Sequence, residues 1–170
     1  MPLHPYWVYA IEAAKGLEMQ LYVLSLAAIA SVEGPMLRQS SNPRNLLHIV
    51  HQQWMHRDSD HIGQLNTLHA YLMVSTREVI DTRVWCNHHL LDHGVLEQIV
   101  NIRRQLIKGF KLRHQDQPEW MNTPNYDETT PPKIREALAH GLFFNTAMRV
   151  KPGEHVLKIH ENQDVLIHIN

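Results

Sequence analysis

A single cysteine, Cys86, stands in 170 residues, so no disulfide can form within the chain, and a lone thiol suits a reducing compartment. No run of about 18 apolar residues occurs; the longest candidate, residues 21–32, is broken by Ser25 and Ser31. The N-terminal MPLHPYWVYA has no basic segment leading into an apolar one, so no signal peptide is read. These absences predict a soluble, intracellular protein. A basic excess is missing too: 16 Lys and Arg stand against 17 Asp and Glu, for a net charge of −1 with 14 neutral histidines. Phosphate contacts supply most of the affinity of proteins that hold nucleic acid unaided. A nucleic-acid role would therefore rest on a local patch or on another domain.

The compact catalytic motifs are missing as well. There is no GxxxxGKS/T loop, GxGxxG, CxxC pair, HExxH or GxSxG elbow. Without a phosphate cradle this chain by itself should not hydrolyse nucleotides, and no catalytic residue, metal or cofactor is assigned to it. With 44% hydrophobic residues and this length, it reads as one globular domain or one plus part of a second.

The first two thirds have helical periodicity. Residues 6–15 form an apolar-rich segment ending at Gly16, a plausible C-cap. Residues 17–32 place apolar side chains all around a helix, which predicts a buried one, and Glu33-Gly34-Pro35 stops it. Asn42 and Pro43 open a third helix to about Met55. Asp58 or Ser59 then caps a helix carrying Ile62, Leu65, Leu68, His69 and Leu72, and residues 77–91 continue helically. Residues 95–112 are amphipathic, with Leu96, Ile99, Val100, Ile102, Leu106 and Ile107 as the apolar face.

Residues 115–132 hold four of the nine prolines and read as a linker. A short helix over residues 133–140 ends at Gly141. After it the period changes to that of strands, with Asn162-Gln163-Asp164 as a hairpin turn before the β-rich run 165–169. The fold class is thus mostly α, a helical bundle over 1–114, a linker over 115–132, and a helix with first strands over 133–170.

Two groups of residues invite a functional reading. His56-Arg57-Asp58, Asp60-His61 and Leu91-Asp92-His93 set imidazoles beside carboxylates, and His89 and His93 are one helical turn apart. Such groups can bind zinc or act in metal phosphohydrolases, although caps and solvated side chains explain them as well. The second group is Arg103, Arg104, Lys108, Lys111 and Arg113, five cations with no acid among them. Arg104, Lys108 and Lys111, at i, i+4 and i+7, share one helix face and can track a nucleic-acid backbone. The alternative is a solvated face near a helix C-terminus, where cations also favour the dipole. Trp120, within the proline-rich stretch, is a stacking platform or a loop anchor.

Six segments in order, at residues 22–32, 56–66, 85–86, 102–106, 134–147 and 165–168 (YVLSLAA with SV, HRDSDHIGQLN, WC, IRRQL, IREALAHGLFFNTA and VLIH), together resemble the C-terminal region of DEAH-box RNA helicases. Tyr22-Val23-Leu24-Ser25-Leu26-Ala27-Ala28 with Ser31-Val32 is similar to a helix of the family's helicase-associated region. His56 to Asn66 resembles its H-x-x-S/G-D-H-x-x-x-L-N signature, Trp85-Cys86 its W-C helix, and Ile102-Arg103-Arg104-Gln105-Leu106 its I-R-x-Q-L. IREALAHGLFFNTA over 134–147 is similar to the helix and first strand leading into the family's oligonucleotide-binding (OB) fold, and Val165 to His168 resembles its V-x-I-H strand.

The resemblance implies a helicase-associated, or ratchet, domain at 1–114 and part of an OB-fold at 133–170. It implies a non-catalytic module lining a single-stranded RNA channel and contacting the RecA-like motor lobes. The winged-helix domain of the parent chain and G-patch-type helicase cofactors would be further partners, with no membrane partner. ATP and Mg would belong to the parent motor, an ATP-dependent NTP hydrolase. The setting would be nuclear RNA processing such as splicing. Asp60, His61, Asn66, Trp85, Gly141 and Asn145 would then set caps, turns and packing rather than perform chemistry.

The sequence departs from the family at two places. Glu97 and Gln98 stand where relatives often carry basic residues, and the strand that continues I-H-P-S-S reads Ile167-His168-Ile169-Asn170 here. Two or three of the five OB strands are expected. Beside this reading stand a His/Asp metal phosphohydrolase and a helical scaffold that binds only proteins.

Overall fold

The computed structural model describes residues 3–38, 50–77, 80–112 and 127–143, and the backbone of three short strands beyond them. The described residues are mostly helical. The helices are α1 (Pro5–Gly16), α2 (Gln20–Ala30), α3 (Asp60–Arg77), α4 (Thr82–His88), α5 (His93–Gly109) and α6 (Thr130–Gly141). The strands β1 (Ala147–Arg149), β2 (Val156–Lys158) and β3 (Gln163–Val165) pair antiparallel in the order β1-β2-β3.

α2 is the centre. Its residues are buried without interruption from Leu21 to Ala28, as a helix apolar on all sides requires. It packs against α1, α3, α5 and α6. One core cluster joins Ala10, Ile11 and Ala14 of α1 to Tyr22 and Leu26, to Ile62 and Leu65 of α3, and to Ile134 and Ala137 of α6. A second joins Ala28 to Leu68 and Leu72 of α3, Cys86 of α4, Leu91, and Leu96 and Ile99 of α5. α6, which the sequence groups with the OB segment, therefore shares its core with α1 and α2.

Several boundaries differ from the sequence expectation. The span 77–91 is not one helix: α3 ends at Arg77, and Asp81 starts α4 by accepting from the Arg83 and Val84 amides at 2.7 and 3.2 Å. Competition from this short acceptor side chain breaks the helical period. α3 is capped by Ser59, whose Oγ accepts from the Ile62 amide at 3.4 Å. α6 begins at Thr130, inside the expected linker, with Pro131 and Pro132 in its first turn, where a missing N–H costs nothing. Of the expected helix at 43–55, the described part is helical only at Val50 and His51 and turns at 52–54; the rest, with Asn42 and Pro43, lies outside the described residues.

In the tail the pairing Lys158↔Gln163 and Leu157↔Asp164 puts Gln163 and Asp164 in β3 rather than in a turn. Trp120, Asn145 and residues 166–170 also lie outside the described residues.

The helix ends carry an unexpected feature. Gly16 is not the cap; it lies in the last turn of α1, and the left-handed residue is Glu18, with φ 61°. Met19 N–H reaches Ala14 O at 2.9 Å and Glu18 N–H reaches Lys15 O at 3.2 Å, the paired bonds of a Schellman ending. α4 ends likewise through Leu90, at φ 56°, and α5 through Lys111, at φ 54°. All three positions would suit glycine and none has it.

Glycine is required elsewhere. A β-carbon on Gly141 would collide with the Tyr6 carbonyl oxygen and come within 2.7 Å of the Ala10 amide nitrogen, so α1 and α6 touch backbone to backbone. Gly141→Ala should destabilise the protein by about 2 kcal/mol or more in urea unfolding, although alanine ordinarily favours a helix by about 1 kcal/mol. Glu18→Gly should do the reverse and raise stability by about 0.5–1 kcal/mol, because it relieves a left-handed side chain. An unchanged midpoint for either variant would contradict the corresponding contact.

Candidate nucleic-acid interface

The cations singled out in the sequence belong to α5 and the turn after it. Asp92 starts this helix by accepting from the Val95 amide at 3.1 Å. The Asp92 amide is itself tied to Met36 O at 2.8 Å, and Arg38 N–H donates to Leu90 O at 2.9 Å, so the loop after α2 holds the α4–α5 junction. With the helix placed in this way, Leu96, Ile99, Val100 and Arg103 point inward, whereas Glu97, Asn101, Arg104 and Lys108 are exposed.

Arg103 therefore leaves the surface row in which the sequence put it. Its side chain is 0% exposed. Its Nε donates to Ser25 Oγ at 2.9 Å, and that hydroxyl donates to Leu21 O at 2.7 Å. In this fold it ties α5 to α2 and cannot touch a phosphate outside. Arg104 and Lys108 remain on one exposed face, and Arg104 Nη1 also donates to Asn101 Oδ1 at 3.3 Å. Lys111 is exposed but lies past the helix end in the left-handed turn, so the i+7 relation to Arg104 does not hold. Arg113 lies outside the described residues.

Beside Arg103 sits His69 of α3, with its Nε2 buried and without a hydrogen-bond partner. Burial first, then the Arg103 charge, hold its pKa down at about 4, so the ring is neutral at pH 7. Its ring lies 5.6 Å from that of Tyr22.

The other marked residues have structural surroundings. Asp60 is the acid in the first turn of α3, where the helix dipole favours it. His61 follows it, and burial lowers its pKa against the opposing pull of Asp60. Asn66 Nδ2 donates to Trp54 O at 3.0 Å. Trp85 packs in an aromatic group, 5.9 Å from Trp54, 6.3 Å from Tyr71 and 4.4 Å from His89 between ring centroids.

The metal alternative assumed His89 and His93 on one helix face, and the structure corrects this. His89 ends α4 and donates through Nδ1 to Trp85 O at 2.8 Å, while His93 begins α5 beyond the turn at Leu90. Among the described residues, no three His, Cys, Asp or Glu side chains gather so as to hold a metal ion.

One arrangement went unread in the sequence. His93 Nε2 lies 3.0 Å from Thr82 Oγ1, and His93 Nδ1 lies 3.6 Å from Glu97 Oε2. The i, i+4 spacing of His93 and Glu97 was the available signal. The site is thus an exposed polar ridge on a helix anchored by a buried guanidinium. No family model matches the chain. No helix among the described residues is long and apolar enough to cross a membrane.

His69 makes stability depend on pH. Its folded pKa lies below the unfolded value of about 6.5, so the unfolded chain binds the proton first. The contribution is complete above about pH 6.5 and is lost as pH falls toward 4. Between about pH 7.5 and 5 the loss should be about 2 kcal/mol. Urea titrations at the two pH values should show His69→Leu losing correspondingly less stability than the wild type on acidification; equal losses would mean that the ring is not held neutral.

Proposed function

We propose that this chain is a non-catalytic RNA-path module of a DEAH-box RNA helicase, an α-helical ratchet-like bundle leading into part of an OB-fold. The observation that carries the reading is the exposed pair Arg104 and Lys108, with Lys111 beyond it, on a helix whose opposite side is fixed in the core. The two side chains stand about one helical turn apart, near 6 Å, a spacing suited to phosphates of an extended strand. The six family-like segments support the same reading, because four of them fall on α2, α3, α4 and α5, the elements that build and orient this ridge.

In this reading the chain supplies a wall, and the parent's RecA-like lobes, with ATP and Mg, supply the work. The winged-helix domain, G-patch-type cofactors and a nuclear site of RNA processing follow from the same proposal. A protein-only helical scaffold is the second reading, favoured by exposed Val8 and Tyr9 on α1. Nothing in the described residues favours the metal phosphohydrolase.

Binding to single-stranded RNA should be weak, independent of sequence and strongly salt-dependent, because backbone charge supplies it. Fluorescence anisotropy at low salt should show binding that the double variant Arg104→Glu/Lys108→Glu abolishes. If that variant binds as well as the wild type, the ridge is not the RNA site. If the wild type binds no RNA but holds a stable protein partner, the scaffold reading takes its place.

A further inference from the structure

The outward ridge of α5 carries more than cations. Glu97, Asn101, Arg104 and Lys108 follow at intervals of four, three and four residues and so lie on one side of the helix. Glu97 stands seven residues before Arg104, roughly 10 Å along the axis. Its side chain is 58% exposed, and Oε2 lies 3.6 Å from His93 Nδ1. With the Nδ1 proton turned toward this carboxylate, Nε2 accepts from the Thr82 hydroxyl at 3.0 Å. Thr82 thereby braces the imidazole that lies beside the acid. Ser75, Ile80, Thr82, Arg83 and His93 line one open hollow of about 550 Å³ together with two acids, Glu97 and Asp81, the latter occupied in starting α4.

A carboxylate at the end of a phosphate-binding ridge is unfavourable for affinity, since it repels the backbone. It also accepts hydrogen bonds without donating any. In a nucleic-acid strand, the sugar hydroxyl is a donor that any base sequence presents to such an acceptor. RNA has this 2′-hydroxyl at every residue and DNA has none.

We infer that Glu97, positioned by His93, reads a ribose 2′-hydroxyl, so that the α5 ridge prefers RNA to DNA. A strand with consecutive phosphates on Arg104 and Lys108 continues toward the N-terminus of α5 and brings a sugar to Glu97. The same acid repels both polymers and rewards only one, which exchanges strength for discrimination. This inference rests on the RNA-path reading above.

Anisotropy titrations of the whole 170-residue chain with labelled oligouridine of about 20 nucleotides, its 2′-deoxy form and its 2′-O-methyl form test it. The RNA should bind roughly fivefold more tightly than the other two, the effect of one exposed charge-assisted hydrogen bond. Glu97→Ala, a surface change whose folding circular dichroism can check, should make the three equal and improve binding of the deoxy form. Glu97→Gln, which keeps an acceptor, should retain part of the preference. Equal binding of all three by the wild type overturns the inference while leaving RNA binding intact. A preference that persists in Glu97→Ala overturns it too, because the ribose is then read elsewhere. If no polymer binds, the RNA-path reading falls and takes this inference with it.

Discussion

A helix with no solvent face has to be enclosed, and α2, buried from Leu21 to Ala28, imposes that requirement on everything around it. α1, α3, α5 and α6 turn their apolar stripes toward it, which fixes their outward faces as well. The polar interruption in the buried run is Ser25, and that is where Arg103 enters. A guanidinium taken out of water is costly unless its hydrogen bonds are supplied. Arg103 finds such a bond at Ser25 and lies on the same inward side of α5 as Leu96, Ile99 and Val100, which leaves Arg104 and Lys108 outside.

This dependence explains what a reading of residues alone could and could not find. The burial of α2 was legible because its apolar residues cover every direction of a helical wheel. The existence of α3 and α5 was legible from their stripes. Arg103 and Arg104 looked alike because both are cations in one run, yet adjacent positions on a helix point about 100° apart. Leu96, Ile99 and Val100 already marked the inward side, and Arg103, four positions after Ile99 and three after Val100, falls on it. Placing a charge on an apolar face went against its composition, and a hydrogen-bond partner such as Ser25, 78 positions away, makes it reasonable.

Helix ends were less legible for a related reason. Glycine was expected at the left-handed cap of α1, but the chain uses Glu18 there, Leu90 after α4 and Lys111 after α5. The paired backbone bonds and the burial of the following residues, Met19 and Leu91, hold these side chains in a conformation they disfavour on their own. Tertiary packing thus decides where the chain turns. It also removes Lys111 from the helical row that its spacing suggested, and divides His89 from His93. Glycine is kept instead at Gly141, where two backbones meet and no side chain fits.

The remaining question is whether a basic end on α5 calls for anything beyond the helix dipole. A cation in the last turn is favoured by the partial negative charge of the free carbonyls, which accounts for Lys108. That effect fades within one turn, and Arg104, a turn further back, instead donates to Asn101 Oδ1 at 3.3 Å on the same exposed face. The net charge of −1 does not weigh against a local site, because at about 0.1 M salt charges more than about 10 Å apart are largely screened. A strand lying on α5 would meet the ridge itself: two cations toward the C-terminus, Asn101 between, and a braced carboxylate toward the N-terminus. In the proposed reading, attraction at one end and discrimination at the other would need different chemistry, and the turn spacing of a single helix places cations and a carboxylate in line for both.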